Sequence, residues 1–225
     1  MKATHAVLMD IDGALLDSVE AQTQSWLRVL HEFGYDIDYR QVRERIGLGP
    51  DRILRELCGI SEASPRARRM LPIRRLLFSH ALPHIPVFPR ALAFIQRMQE
   101  SGAKLAIVTS ASRSEALSLL AAGRLLTEFD HVVCREDVLR TKPAPDGVLS
   151  ALQRLGVFPH QALMIAASPY DVAAANAARV PCFRLRTGIW PEAMALGPVP
   201  EAVPRIFREP AQARRAVRPS QPSAR

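Results

Sequence analysis

Acidic, hydroxyl and amine side chains follow three apolar segments of the sequence, and together they could transfer a phosphoryl group. Asp10 and Asp12 end the first segment, Thr109 and Ser110 end the second, and Lys142 follows the third. A carboxylate can attack phosphorus to form an aspartyl-phosphate, and a second carboxylate can protonate the leaving oxygen and then activate water. Hydroxyls and an ammonium can stabilise the charge that spreads over the transferred phosphoryl oxygens.

A further carboxylate, Asp171, follows the fourth apolar segment, after the residues Ala166, Ala167, Ser168, Pro169 and Tyr170. Two carboxylates beside an anionic phosphate would repel it. The sequence therefore predicts a hard cation such as Mg²⁺, which oxygen ligands bind.

Each of these residues also has an ordinary structural interpretation. Asp10 or Asp12 alone would be typical of a turn or a helix cap. Asp171 could be an acid at the start of a helix, where the helix dipole favours it. Lys142 is one of only a few lysines in an arginine-rich chain, and the alternative for it is a solvated surface position.

The elements that would position these residues alternate along the second half of the chain. Strands are predicted at 6–11, 104–108, 131–134, 162–166 and 182–185. One helix is predicted directly before each of the last four strands, at 90–101, 113–122, 145–155 and 170–178. Strands that alternate with helices form parallel sheets through right-handed crossovers. Ligands of such sheets bind beyond the carboxyl ends of the strands, where the candidate residues lie.

The region from 18 to 81, which follows the first strand, contains no predicted strand. Its helical patterns lie at 18–33, 39–46, 50–58 and 65–81. We interpret it as a helical domain inserted into the α/β domain. The predicted division is an α/β core at 1–17 and 86–209, an inserted helical cap at 18–85, and a tail at 210–225. The tail is rich in Arg, Pro, Ser and Ala and is predicted to be disordered.

Four motifs in this order resemble those of the haloacid dehalogenase (HAD) superfamily: Asp-x-Asp-Gly, a strand ending in Thr-Ser, Lys-Pro, and Ser-Pro-Tyr-Asp. The similarity covers residues 5–210, and its nearest group is phosphoglycolate phosphatase and β-phosphoglucomutase. It implies a Rossmann-like parallel sheet with an inserted helical cap, Asp10 as nucleophile and Asp12 as general acid/base. It also implies that Thr109, Ser110 and Lys142 bind the phosphoryl group.

The resemblance further implies that Asp10, the backbone carbonyl of Asp12 and acids of the fourth motif hold Mg²⁺. In that motif Ala167 stands where the family places a direct metal ligand, so Asp171 alone remains to hold metal-bound water or to brace Lys142. The segment 47–52 resembles the substrate-facing cap loop of the group. Arg52 is therefore a candidate substrate ligand, with an exposed helix position as the alternative.

Composition excludes several other classes of protein. The 225 residues carry a net charge of +8, but the excess is concentrated at 63–80 and 205–225, and aromatic residues make up only 6%. We therefore expect no nucleic-acid partner. No run approaches the roughly 18 uncharged apolar residues of a membrane helix. Three scattered cysteines suit a reducing compartment. The expected location is the cytoplasm, the partner a small phosphorylated metabolite, and the state a monomer or homodimer.

Three functions remain open at this point. The first is a Mg²⁺-dependent phosphatase that acts on a small organic phosphate, such as phosphoglycolate or a sugar phosphate, with activity reduced by Ala167. The second is a sugar phosphomutase on the same scaffold. The third is a non-catalytic relative of these enzymes that binds an anion or a protein in the cleft where they bind substrate.

Overall fold

The computed structural model describes residues 4–185, and its centre is a five-stranded parallel sheet. The strands are β1 (Ala6–Met9), β2 (Lys104–Val108), β3 (His131–Val133), β4 (Ala162–Ala166) and β5 (Cys182–Arg184). Their spatial order is β3-β2-β1-β4-β5. The central strand is in register with both neighbours, because Met9 pairs with Ile107 of β2 and Ile165 of β4. The parallel α/β sheet predicted from the sequence is confirmed.

Eight α-helices accompany the sheet within residues 4–185. Five of them lie between β1 and β2, and the first four of these make up the inserted helical region: α1 (Val19–Glu32), α2 (Tyr39–Arg43), α3 (Pro50–Cys58) and α4 (Pro65–Ala81). The other four are α5 (Pro89–Glu100), α6 (Arg113–Ala122), α7 (Asp146–Leu155) and α8 (Pro169–Ala177). Short 3₁₀ turns occupy Leu82–His84, Arg135–Asp137 and Pro159–Gln161.

Alternation along each strand divides the core between the two faces of the sheet. Val7 and Met9 of β1 pack in one apolar cluster with residues of α5 and α6, such as Phe94. Leu8 packs on the other face with residues of α7 and α8, such as Leu152. The cap has an apolar cluster of its own, which joins residues of α1, α3 and α4. The apolar residues of the described chain thus form one cluster on each face of the sheet and a third within the inserted helical region.

Several predicted boundaries differ from the structure, for local reasons. The first strand ends at Met9 rather than residue 11, because the chain turns through Asp10 and Gly13, whose φ is +76°. The helix predicted at 39–46 ends at Arg43. Ser18 precedes α1, yet its hydroxyl makes no capping bond and donates instead to Asp12. The predicted tail and residues 186–209 lie outside the described residues, so the domain boundaries stay a prediction.

No helix within residues 4–185 combines the length and the apolar character that crossing a membrane requires.

Candidate functional site

The carboxyl ends of β1 and β4 and the loop that follows β3 bring three predicted site residues into direct contact. Lys142 Nζ lies 2.8 Å from Asp10 Oδ2 and 2.5 Å from Asp171 Oδ1. It also donates a hydrogen bond to the backbone oxygen of Val108 at 3.1 Å. All three charged side chains are at most 2% exposed. Such a buried ion triad is stable only if every charge has a partner, so these residues hold each other in place.

The carboxylate of Asp171 is fully occupied by partners from the protein. Its Oδ1 binds Lys142, and its Oδ2 accepts hydrogen bonds from the backbone N–H groups of Ala167 and Ser168, at 3.0 and 2.8 Å. Its own N–H donates a hydrogen bond to the hydroxyl oxygen of Ser168 at 3.2 Å, which completes a capping box at the start of α8. Of the two roles that the sequence left open, bracing Lys142 is the one that this geometry provides.

The carboxylate of Asp10 is anchored at one oxygen only. Oδ2 pairs with Lys142, whereas Oδ1 is buried and has no hydrogen-bond partner within residues 4–185. Burial raises the pKa of Asp10 to about 8, although the adjacent ammonium of Lys142 opposes the rise. Burial also disfavours the charged form of Lys142, but the carboxylates of Asp10 and Asp171 raise its pKa above the ordinary value. The ammonium of Lys142 favours the ionised form of Asp10, and it is this form, with one oxygen unpaired, that is suited to nucleophilic attack.

Two hydroxyls lie beside Asp10 on the wall of the same cavity. Thr109 Oγ1 accepts a hydrogen bond from the N–H of Ala111 at 3.1 Å, so the hydroxyl hydrogen of Thr109 is available to an incoming oxygen. Ser110 Oγ is buried without a hydrogen-bond partner among the described residues. Both hydroxyls can therefore donate to a phosphoryl group that reaches Asp10.

Asp12 is held by the cap rather than by the strand ends. Its Oδ1 accepts hydrogen bonds from Ser18 Oγ at 2.5 Å and from Gln22 Nε2 at 3.2 Å. Burial raises the pKa of Asp12, with the hydrogen bond from Ser18 opposing it and the nearby charge of Glu115 adding to it. A raised pKa keeps a carboxyl protonated at higher pH, which suits a general acid.

A cavity of about 220 Å³ separates these residues from the cap. Arg74 of α4 forms part of its wall, and its guanidinium lies between the rings of Trp26 and Phe78, with centroids 5.2 and 5.0 Å away. Arg74 forms an ion pair with Glu115 of α6. Trp26 both lines the cavity and packs in the core of the cap.

The site includes three residues that were not predicted, Gln22, Arg74 and Glu115, although the sequence contains a signal for two of them. The buried face of α4 consists of Ala67, Met70, Arg74 and Phe78, so one arginine interrupts an apolar helical stripe. Gln22 likewise interrupts the buried face of α1. A long polar side chain on such a stripe needs a partner inside the fold.

The cap loop that the sequence associated with substrate packs directly on the fourth motif. Gly47 has a φ of +103°, and a Cβ at this position would lie 3.0 Å from Ser168 Oγ. Tyr170 donates a hydrogen bond from its hydroxyl to the backbone oxygen of Glu44 at 2.7 Å. Arg52 lies on α3 outside the described lining of the cavity, so its role as a substrate ligand stays a prediction.

Within the described residues, the Mg²⁺ site that the resemblance implies lacks a free carboxylate from the fourth motif. Both oxygens of Asp171 are bonded within the protein and Ala167 presents a methyl group, whereas Asp10 Oδ1 is buried and unpaired among the described residues. Within residues 4–185, no three acidic, histidine or cysteine side chains form a group that could hold a metal ion.

The parallel sheet and its strand-end residues resemble those of one class of hydrolases, and a comparison with protein-family models gives the same class. The model of the haloacid dehalogenase-like hydrolases matches residues 7–185. The chain belongs to this family, and the resemblance seen in its motifs is confirmed.

Individual relatives are 24–30% identical to this chain over the aligned residues. A phosphoglycolate phosphatase of Nitrosospira multiformis is 30% identical over 179 residues, which are 77% of this chain and 79% of that protein. The protein SUPPRESSOR OF QUENCHING 1, chloroplastic, of Arabidopsis thaliana is 30% identical over 187 residues, which are 81% of this chain but 18% of the relative. The crystal structure of a hydrolase from Pseudomonas syringae superimposes with a TM-score of 0.79 over 84% of this chain and 88% of that one, at 24% identity.

Proposed function

We propose that this protein is a phosphatase that cleaves a small organic phosphate through an aspartyl-phosphate on Asp10. The observation that carries the proposal is the unpaired Oδ1 of Asp10 in the cavity, beside two hydroxyls that have hydrogens to donate. The phosphoglycolate phosphatases among its relatives support the same reaction class.

In the first step, an oxygen of Asp10 attacks phosphorus and the bond to the leaving oxygen breaks. Asp12 gives its proton to that oxygen, so the alcohol leaves neutral. Thr109 and Ser110 donate hydrogen bonds to the phosphoryl oxygens, and Lys142 keeps Asp10 in position while it offsets negative charge. In the second step, Asp12 takes a proton from water as the water oxygen attacks phosphorus, and the bond between phosphorus and the Asp10 oxygen breaks. Phosphate leaves, and both carboxyl groups return to their starting states.

Mg²⁺ is the cofactor we propose from the family, with Asp10 and the backbone carbonyl of Asp12 as its protein ligands. Mg²⁺ commonly binds through one or two carboxylates together with substrate phosphates and water. Such an ion would neutralise charge on the phosphate. With no carboxylate from the fourth motif, we expect its affinity to be low.

A screen for phosphate release over a panel of phosphorylated metabolites, at several Mg²⁺ concentrations, tests the proposal. p-Nitrophenyl phosphate reports basal competence, because its leaving group needs little protonation. We expect release with at least one substrate and a dependence on Mg²⁺ that does not saturate at low concentration. No release above that of the Asp10→Asn variant, with any substrate, would contradict it and favour the non-catalytic alternative. Interconversion of glucose phosphate isomers would instead indicate the mutase.

A further inference from the structure

Two arginines in the cavity wall, one buried and one half-buried, each form an ion pair with an acidic residue of the protein. Arg74 pairs with Glu115, and the side chains are 3% and 10% exposed. Arg135 pairs with Glu62, and these side chains are 29% and 26% exposed. Each pair joins the cap to the core, because Arg74 and Glu62 belong to the inserted region while Glu115 and Arg135 follow β2 and β3.

The carboxylate of Glu115 is fixed by several donors, so a ligand cannot easily replace it. Its Oε1 accepts hydrogen bonds from Gln22 Nε2 at 2.9 Å and from Arg74 Nη2 at 3.1 Å, and its Oε2 accepts from Arg74 Nη1. Removing one partner of such a buried pair would leave the other charge uncompensated. Arg74 is therefore committed to a residue of the protein and does not offer its charge to a substrate.

From this arrangement we propose that Glu115 and Glu62 make the cavity select phosphate esters whose alcohol part is uncharged and bears hydroxyl groups. The proposal deepens the proposed phosphatase function and rests on it. A second anionic group on the substrate would meet two carboxylates whose neighbouring cations are already paired, and the burial of Glu115 leaves little water to screen the repulsion there. Repulsion of this kind is an established source of specificity.

The remaining wall of the cavity suits such a substrate. Trp26, Ile53 and Leu71 supply apolar surface, and the carboxylate oxygens of Glu62 and Glu115 can accept hydrogen bonds from hydroxyls. Arg75 also lines the cavity, but its side chain is exposed, so water screens its charge.

A matched pair of substrates tests the proposal. sn-Glycerol 3-phosphate and 3-phosphoglycerate have the same three-carbon frame. They differ at one end, where the first has a hydroxymethyl group and the second has a carboxylate. We expect the wild-type kcat/KM to favour glycerol 3-phosphate by about tenfold or more. A wild-type preference for 3-phosphoglycerate, or equal values for the two, overturns the proposal.

Glu115→Gln removes the charge and keeps the shape, which leaves Arg74 free to attract an anion. We expect the ratio of the two kcat/KM values to move about tenfold towards 3-phosphoglycerate, and a smaller shift in the same direction for Glu62→Gln. Glu100→Gln is the charge-matched control, because Glu100 is exposed at the end of α5, before the amino end of β2. Its ratio should equal that of the wild type.

The outcomes separate this proposal from the proposed function. If no substrate, including p-nitrophenyl phosphate, is cleaved, the phosphatase function fails. If p-nitrophenyl phosphate is cleaved but the glycerol 3-phosphate preference is absent, the selectivity proposal alone fails. If Glu115→Gln does not fold, the wild-type ratio of the two kcat/KM values and the variant Glu62→Gln, at a more exposed position, still test the selectivity proposal. An unchanged ratio in a folded Glu62→Gln variant overturns the role of Glu62.

Discussion

The side-chain amide of Gln22 in the cap donates a hydrogen bond to the carboxylate of Asp12 at the edge of the sheet, over 3.2 Å. The amide has a defined orientation, because its oxygen accepts a hydrogen bond from Arg74. The nitrogen must therefore face Asp12. Since Ser18 also donates to the same oxygen, Oδ1 of Asp12 is an acceptor, and a proton carried by this carboxyl belongs on Oδ2.

Replacing Gln22 with leucine should slow the cleavage of esters with poor leaving groups. Asp12 would lose the donor that fixes its carboxyl, and general acid catalysis typically contributes a factor of about 10²–10⁴. We expect kcat/KM for an alkyl phosphate to fall about tenfold or more, and that for p-nitrophenyl phosphate to fall much less.

The Gln24→Leu variant is the control for this substitution, because Gln24 is on the same helix but exposed, where it contacts Glu20. An equal loss on both substrates in Gln22→Leu would indicate a general structural defect and contradict a positioning role.

The strand-end residues could be predicted from the sequence because a parallel sheet brings its carboxyl ends to one edge. Asp10, Thr109 and Lys142 each follow a short apolar segment, and that local pattern is enough to place them together. The contact of Lys142 with Asp171 follows from the same logic.

The cap side of the site could not be predicted in the same way. Gln22 and Glu115 are 93 residues apart, and Arg74 and Glu115 are 41 apart. Their contacts depend on how the cap packs on the core, which no local period encodes. The interrupted apolar stripe of α4 indicates that Arg74 is buried, but it does not indicate the partner.

Asp10→Asn should abolish phosphate release and leave the fold intact. The amide is nearly isosteric, and its oxygen can still accept a hydrogen bond from Lys142, but it is not a nucleophile. We expect a loss of at least about a thousandfold in kcat, with a melting temperature close to that of the wild type. Phosphate release that persists in a preparation shown by intact mass to be free of deamidation would refute the mechanism.

Asp137→Asn should destabilise the protein at neutral pH and have little effect in acid. Partial burial opposes ionisation, yet the N–H of Cys134 and the guanidinium of Arg154 lower the pKa of Asp137 below its ordinary value, with Arg113 contributing. A lowered pKa in the folded state contributes stability above the unfolded pKa of about 4, and this contribution disappears as pH falls through the folded pKa.

We therefore expect the variant to lose about 1–3 kcal/mol of unfolding free energy at pH 7. The difference from the wild type should shrink progressively below pH 4, as measured by urea titration at each pH. A difference that is constant from pH 7 to pH 3 would show that the charge of Asp137 is not what stabilises this loop.

Gly47→Ala should loosen the packing of the cap on the core. The backbone at Gly47 has a φ of +103°, and the new Cβ would lie 3.0 Å from Ser168 Oγ. Gly59→Ala is a matched control, because Gly59 also has a positive φ, +67°, but a Cβ there meets nothing within 4 Å.

We expect Gly59→Ala to lower the unfolding free energy by about 1 kcal/mol, from backbone strain alone. Gly47→Ala should lose more and become easier to cleave by protease in the cap loop. Equal losses in the two variants would mean that the close approach to Ser168 does not constrain the cap.

Ala167→Asp should create the metal ligand that the fourth motif lacks. Ala167 is fully buried, and its N–H is bonded to Asp171, so a carboxylate added here lies close to Asp171 and Asp10. Without a cation, repulsion should raise the cost of folding. With Mg²⁺, binding to the folded state should restore stability according to the ratio of free ion to Kd. We expect Mg²⁺ to raise the melting temperature of Ala167→Asp more than that of the wild type.

The same variant should reach half-maximal phosphate release at a lower Mg²⁺ concentration, and each tenfold gain in rate corresponds to about 1.4 kcal/mol of barrier. Ala167→Asn is the control, because it adds the same volume without the charge and should gain neither effect. If a folded Ala167→Asp shows no Mg²⁺-dependent rise in melting temperature beyond that of Ala167→Asn, the position does not face the ion. Ala167 would then not explain a weak metal dependence of the wild type.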